Sequence, residues 1–172
     1  MSVLIGVVGC SSSAATVPWQ KATAAVPESV LEQVIQSDTD LDVAQAKETL
    51  LAWTVDGKEG KLTLFNFNTP NLCGALGCLY AGYWLREKQP AAEVFQTYLN
   101  PNLPANKPLF QVGDNRGQPP PCLEVLQIEG DRLRQLNYCF NGDSRSERFI
   151  SATNLSTVIC LVKNLKPIAM LV

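Results

Sequence analysis

Cysteine is the residue type in this 172-residue chain whose spacing points to chemistry. Four of its six cysteines fall into two pairs, Cys73 with Cys78 and Cys122 with Cys139. The second pair lies at equal distances on either side of Gly130-Asp131, the symmetry of a hairpin stapled across its two strands. Pairing outward from that turn sets Glu129 against Arg132, Ile128 against Leu133, and finally Cys122 against Cys139. Counted from the turn, the cysteines occupy a non-hydrogen-bonded site, where side chains of antiparallel strands come closest. A bridge needs Cβ atoms about 4 Å apart, so the site suits one, worth about 3 kcal/mol. Cys73 and Cys78 enclose Gly74 and Gly77, which supply the backbone freedom of a tight closed loop, and that shorter ring is worth about 2 kcal/mol. Two disulfides imply an oxidising compartment. The competing reading of Cys73-x4-Cys78 as a redox pair wants Cys-x-x-Cys at a helix N-terminus, and the segment offers neither.

Other chemistries find few carriers. Histidine is absent, which removes the commonest general base and neutral metal ligand, and with it every hydrolase triad and zinc site built on His. Asp38, Asp40 and Asp42 could offer oxygens to a hard cation, but the Gly and distal Glu of a calcium loop are missing, and the stretch reads as a solvated acidic turn. Asp143-Ser144-Arg145-Ser146 is a turn with a hydroxyl and no base. No catalytic residue, metal ligand or cofactor is expected. With 14 basic and 16 acidic residues, a net charge of -2 and no run of like charge, the chain lacks an electrostatic footprint for nucleic acid. The aromatic residues Tyr80, Tyr83 and Trp84, with Phe65 and with Phe110 further along, either form a ligand platform or pack a core.

The first ten residues, MSVLIGVVGC, form an apolar run ending in Val7-Val8-Gly9-Cys10, followed by Ser11-Ser12-Ser13-Ala14-Ala15-Thr16. This resembles the lipobox of bacterial lipoproteins, a family in which the signal peptide is cut before the Cys and that Cys becomes the lipidated first residue. The departure lies upstream: a short apolar stretch with no Lys or Arg before it, which a start upstream of Met1 would explain. The alternative is a buried strand from residue 3 to 8 with Cys10 as an ordinary thiol. On the lipoprotein reading, residues 1–9 are a signal-peptide remnant, Cys10 carries palmitate, and residues 10–26 are a flexible tether with a reach of roughly 20 Å. Multiple acyl chains would hold it on the membrane.

The elements that must position these residues follow from periodicity. Pro27-Glu28-Ser29 opens a helix over about residues 28 to 36, with Val30, Leu31, Val34 and Ile35 at helical spacing. Asp40 or Asp42 caps a second helix through Ala44, Ala46 and Leu50, although residues 50 to 55 also read as a strand. Strands at 53–55, 61–67 and 79–85 form a meander, with Cys73 and Cys78 at the base of its second turn. The stretch from Asp56-Gly57 through Trp84, with its Cys-Gly-x-x-Gly-Cys between apolar strands, looks like a hairpin module of uncharacterised bacterial secreted and periplasmic proteins, a resemblance that implies export and a disulfide. Pro90 precedes Ala91, Val94, Phe95, Tyr98 and Leu99, a pattern that predicts an amphipathic helix lying on a sheet. Six of the eleven prolines fall between Asn100 and Cys122, marking a long irregular connection. Strands are predicted at 149–152 and 157–162; Cys160 lies within the apolar run of the second and reads as a buried, inert thiol, and the apolar tail from Pro167 must pack or meet a partner.

The expected fold is α+β, a single domain over residues 27–172 with an antiparallel sheet of about five to seven strands, about two or three short helices and two disulfide-stapled hairpins. The expected function is non-catalytic: an exported, membrane-anchored lipoprotein of the periplasm or an equivalent lumen, held to the membrane by its N-terminal lipid and serving as an accessory, assembly or binding subunit for a protein partner in a membrane or envelope complex. The alternative is a periplasmic inhibitor or small-ligand-binding protein using the 100–121 loop.

Overall fold

The computed structural model describes residues 18–105, 107–113, 119–130, 132–140 and 149–152. Within them the chain runs Gln20–Lys21 (β1), Ala22–Ala25 (α1), Glu28–Asp38 (α2), Val43–Thr49 (α3), Leu51–Asp56 (β2), Lys61–Phe67 (β3) and Cys73–Gly74 (β4). It continues through Gly77–Leu85 (β5), Ala92–Leu99 (β6), Phe110–Val112 (β7), Leu123–Glu129 (β8), Arg132–Phe140 (β9) and Phe149–Ala152 (β10).

Both longer helices form where their sequence cues lie. Pro27, whose ring fixes φ near the helical value, stands just before α2, and Leu31, Val34 and Ile35 put one buried stripe on the sheet. Asp42 caps α3, its carboxylate accepting from the Gln45 N–H at 2.9 Å. Lys47 of α3 reaches back to Glu28 at 2.6 Å and Glu32 at 2.7 Å, tying the two helices together at the surface.

The strands form two antiparallel sheets instead of the single sheet expected. One has six strands in the order β1-β2-β3-β5-β4, with β6 on the other side of β5; the second runs β10-β9-β8-β7. The reason lies in β5, where residues 78–84 are all buried. A strand buried on both faces needs a cover on each. Ala52, Phe65, Phe67, Leu79, Ala81 and Tyr83 meet the helices on one side. Leu62, Leu64, Tyr80, Trp84, Phe95 and Leu99 meet Phe110, Leu123 and Val125 of the second sheet on the other. The result is three layers: helices, a central six-stranded sheet and a four-stranded sheet.

Two expectations need correction. The helix expected after Pro90 is the strand β6, paired with β5 from Cys78↔Leu99 to Trp84↔Ala92. Its register shifts at Val94, an extra residue between the pairs Gly82↔Phe95 and Tyr83↔Glu93. A bulge of this kind turns two consecutive side chains inward, and Val94 and Phe95 both enter the same cluster. Together with Ala91 and Leu99 they imitate helical spacing. The second correction concerns the end of the tether. Gln20 and Lys21 pair with β2, Ala22 and Val26 are buried, and Trp19 packs on Tyr80 and Phe110, so the packed chain includes residues 19–26.

The Pro-rich connection contains β7 but is otherwise irregular where described. The strand expected at 149–152 is present as β10. Cys10 and its lipobox, the strand expected at 157–162, Cys160, the turn at 143–146 and the apolar tail lie outside the described residues.

Candidate functional site

The cysteine pairs bridge as their spacing required. Cys122 and Cys139 are disulfide-bonded with Cα atoms 4.3 Å apart, one step beyond the pair Leu123↔Tyr138. That separation is the narrow one of a non-hydrogen-bonded antiparallel pair. The turn is as expected, with Glu129 opposite Arg132 and Gly130 at φ +64°. Cys73 and Cys78 are bridged with Cα atoms 4.0 Å apart and face each other in register. Two disulfides mark an oxidising, extracytoplasmic setting.

The Cys73–Cys78 ring carries an exposed apolar side chain that its spacing did not announce. Leu76, at its tip, is 79% exposed. Gly77 holds the ring in shape at φ +106°, and a Cβ there would lie 2.3 Å from the backbone of Leu99, so only glycine fits. The Asn68 carboxamide seats on the bridge, its Oδ1 3.2 Å from Cys73 Sγ and 3.3 Å from Cys78 Sγ. A disulfide sulfur has no hydrogen to donate, so this is a packing contact in which the amide turned over would present its NH2. Tyr98 of β6, paired with Leu79 near this end of the sheet, is also exposed.

The aromatic residues do not assemble into a platform. Tyr80, Trp84 and Phe110 face the second sheet, and Tyr83 faces the helices. All four are nearly inaccessible to solvent. Phe110 lies at the centre of an aromatic group, 5.3 Å from Tyr80 and 6.1 Å from both Trp19 and Phe95, with edge-on geometry. Phe65 and Tyr83 stack edge to face at 5.9 Å on the helix side. Burial pushes the Tyr80 hydroxyl up to about 12.

The three acidic residues part company. Asp40 is exposed, Asp42 caps α3, and Asp38 turns inward at the end of α2. There Asp38 Oδ1 accepts from the Tyr83 hydroxyl at 3.1 Å and from Gln96 Nε2 at 3.2 Å, while Oδ2 is buried with no hydrogen-bond partner. Burial is the first cause of a carboxyl raised to about 6, and the neighbouring Glu93 carboxylate adds to it against the two hydrogen bonds. The Tyr83 hydroxyl is raised too, by burial and then by Asp38. Sequence carried a signal for this inward turn: Leu31, Val34, Ile35 and Asp38 fall at i, i+3, i+4 and i+7, on one stripe of the helix.

A cavity of about 280 Å³ opens between α3 and the 68–72 loop, lined by Leu41, Gln45, Ala46, Thr49, Thr69, Pro70 and Asn71. The Thr69 hydroxyl is buried without a partner. None of these residues was singled out from sequence, since a helix face and a turn far apart in the chain carry no common motif. The described residues of the 100–121 segment, which the alternative reading gave a ligand-binding role, are not among those that line it. No helix among the described residues is long and apolar enough to cross a membrane. Compared with protein families, with curated proteins and with solved structures, the chain matches none.

Proposed function

We propose that this chain is an exported, non-catalytic binding subunit, anchored to a membrane through a lipid on Cys10 and acting as an accessory or assembly component of a membrane or envelope complex. The observation that carries the reading is the pair of disulfides, which belong to a protein that matures outside the cytosol. The lipobox-like Val7-Val8-Gly9-Cys10 supplies the anchor. Leu76 supplies the contact: a large apolar side chain held out on a disulfide-closed ring loses little conformational freedom when a partner covers it. Tyr98, exposed near the same end of the sheet, belongs to a residue type enriched at protein interfaces.

The test is the intact mass of the protein recovered from the membranes of its producing cells, followed by co-purification. Expected are an N-terminus at Cys10 carrying acyl chains, a gain of four hydrogens on reduction, two per bridge, and a membrane partner lost from the Leu76→Asp variant. An intact Met1 with free thiols would overturn the reading.

A further inference from the structure

We propose that two copies of this chain pair edge to edge along β6, antiparallel about a two-fold axis between their Thr97 residues, so that the two six-stranded sheets become one. The inference goes beyond the subunit reading and does not depend on it.

The long open edge is the first observation. β1, β4, β7 and β10, which end the two sheets elsewhere, are two, two, three and four residues long. β6 has eight residues and pairs only with β5. Proteins guard such an edge with Lys, Pro or a bulge. The bulge of β6 lies at Val94, and the regular stretch beyond it, residues 95–99, holds no charged residue, Pro or Gly.

One bond fixes which backbone groups face outward. Leu79 N–H donates to Leu72 O at 3.2 Å, which turns the backbone groups of Leu79 toward the β4 side of β5. Direction alternates along a strand, so Cys78, Tyr80 and Gly82 face β6, and their partners Leu99, Thr97 and Phe95 face back. Gln96 and Tyr98 therefore aim N–H and C=O away from the sheet, where neither meets a described strand. Their side chains are exposed as well, Tyr98 at 48%.

This edge complements its own copy. With Thr97 opposite the partner's Thr97, Gln96 meets the partner's Tyr98, and the two residues exchange both backbone bonds. The Thr97 pair then occupies a non-hydrogen-bonded site, where Cα atoms lie about 4.5 Å apart and two Thr side chains favour each other. On the helix side, the Tyr98 ring is covered by the aliphatic stem of the partner's Gln96, whose amide is already turned to its own Asp38 at 3.2 Å. Glu93, the one charge on β6, lies beyond the bulge, so its two copies stand at opposite ends of the contact and no like charges face each other.

The test is sedimentation equilibrium of the oxidised full chain carrying Cys10→Ser, which cannot be acylated. Expected is a reversible dimer with a dissociation constant of about 10–100 µM, as suits a small contact. Thr97→Lys and Thr97→Glu each set like charges face to face at the axis and should weaken the dimer about ten-fold. Mixed in equal amounts, the two variants should form a heterodimer at least as tight as the parent's dimer, a rescue that unfolded chains cannot give. Leu76→Asp should dimerise like the parent. A monomer up to about 1 mM, a Thr97→Lys variant as dimeric as the parent, no heterodimer on mixing, or a dimer lost with Leu76→Asp would overturn the proposal. The anchoring reading survives any of these results, and an unlipidated Cys10 leaves the dimer standing.

Discussion

Asp38 ends α2 with its carboxylate inside, where burial, the Glu93 carboxylate and the negative end of its own helix all oppose ionisation, against hydrogen bonds from Tyr83 and Gln96. An unfolded chain holds this proton with the usual carboxylate value of about 3.9. The folded one holds it up to about 6. Between those values the native state binds more protons than the unfolded state, so stability is highest at the acid end of the window and is lost as pH rises through it. Because the group is partly exposed, the loss is about 1 kcal/mol rather than the full value of the shift. Asp38→Asn should remove that loss: urea midpoints measured from pH 4 to 7 should fall less steeply in the variant, and a slope equal to the parent's would remove Asp38 as its cause. The same residue shows how a helical stripe read only for its apolar members conceals an inward-facing carboxyl.

At the scale of elements, the two stapled hairpins differ in what their bridges constrain. Cys122–Cys139 closes a ring with a sequence separation of 17, and Cys73–Cys78 one of only 5. Chain entropy therefore predicts that Cys122→Ser with Cys139→Ser costs about 3 kcal/mol and that Cys73→Ser with Cys78→Ser costs about 2 kcal/mol. Denaturant unfolding of the two double variants would check this, and an inverted order would mean that the short ring does more than restrict the unfolded chain. Strand β6 carries the opposite lesson. Its sequence obeys a helical period because a bulge at Val94 turns two neighbours inward, and its extended state is enforced by pairing with β5 from residue 92 to 99. Local pattern alone cannot distinguish a bulged strand from a short helix when both bury the same residues.

Across the whole molecule, the central sheet is shared by two cores, one under the helices and one under the second sheet. Phe110 joins the layers on the second side, touching Trp19 ahead of β1, Tyr80 of β5 and Phe95 of β6. Phe110→Ala should cost about 3–5 kcal/mol and lower the unfolding midpoint of both sheets together. If probes on β3 and on β8 instead melt separately, the two sheets do not share that core. The extent to which all this was legible follows from the range of each interaction. Sequence alone determined the α+β class, the helix beginning near Glu28, an acidic cap at Asp40 or Asp42, the turn at Gly130 and both disulfide pairings. Each of these depends on residues a few positions apart, or on symmetric counting outward from a turn. Tertiary structure alone decided that β6 is extended, that there are two sheets, that Tyr80, Tyr83, Trp84 and Phe110 are buried on opposite faces, and that α3 and the 68–72 loop flank an open pocket. Those outcomes depend on which surface covers which, and that is set by contacts between segments distant in the chain, which leave no period or spacing in the sequence to be read.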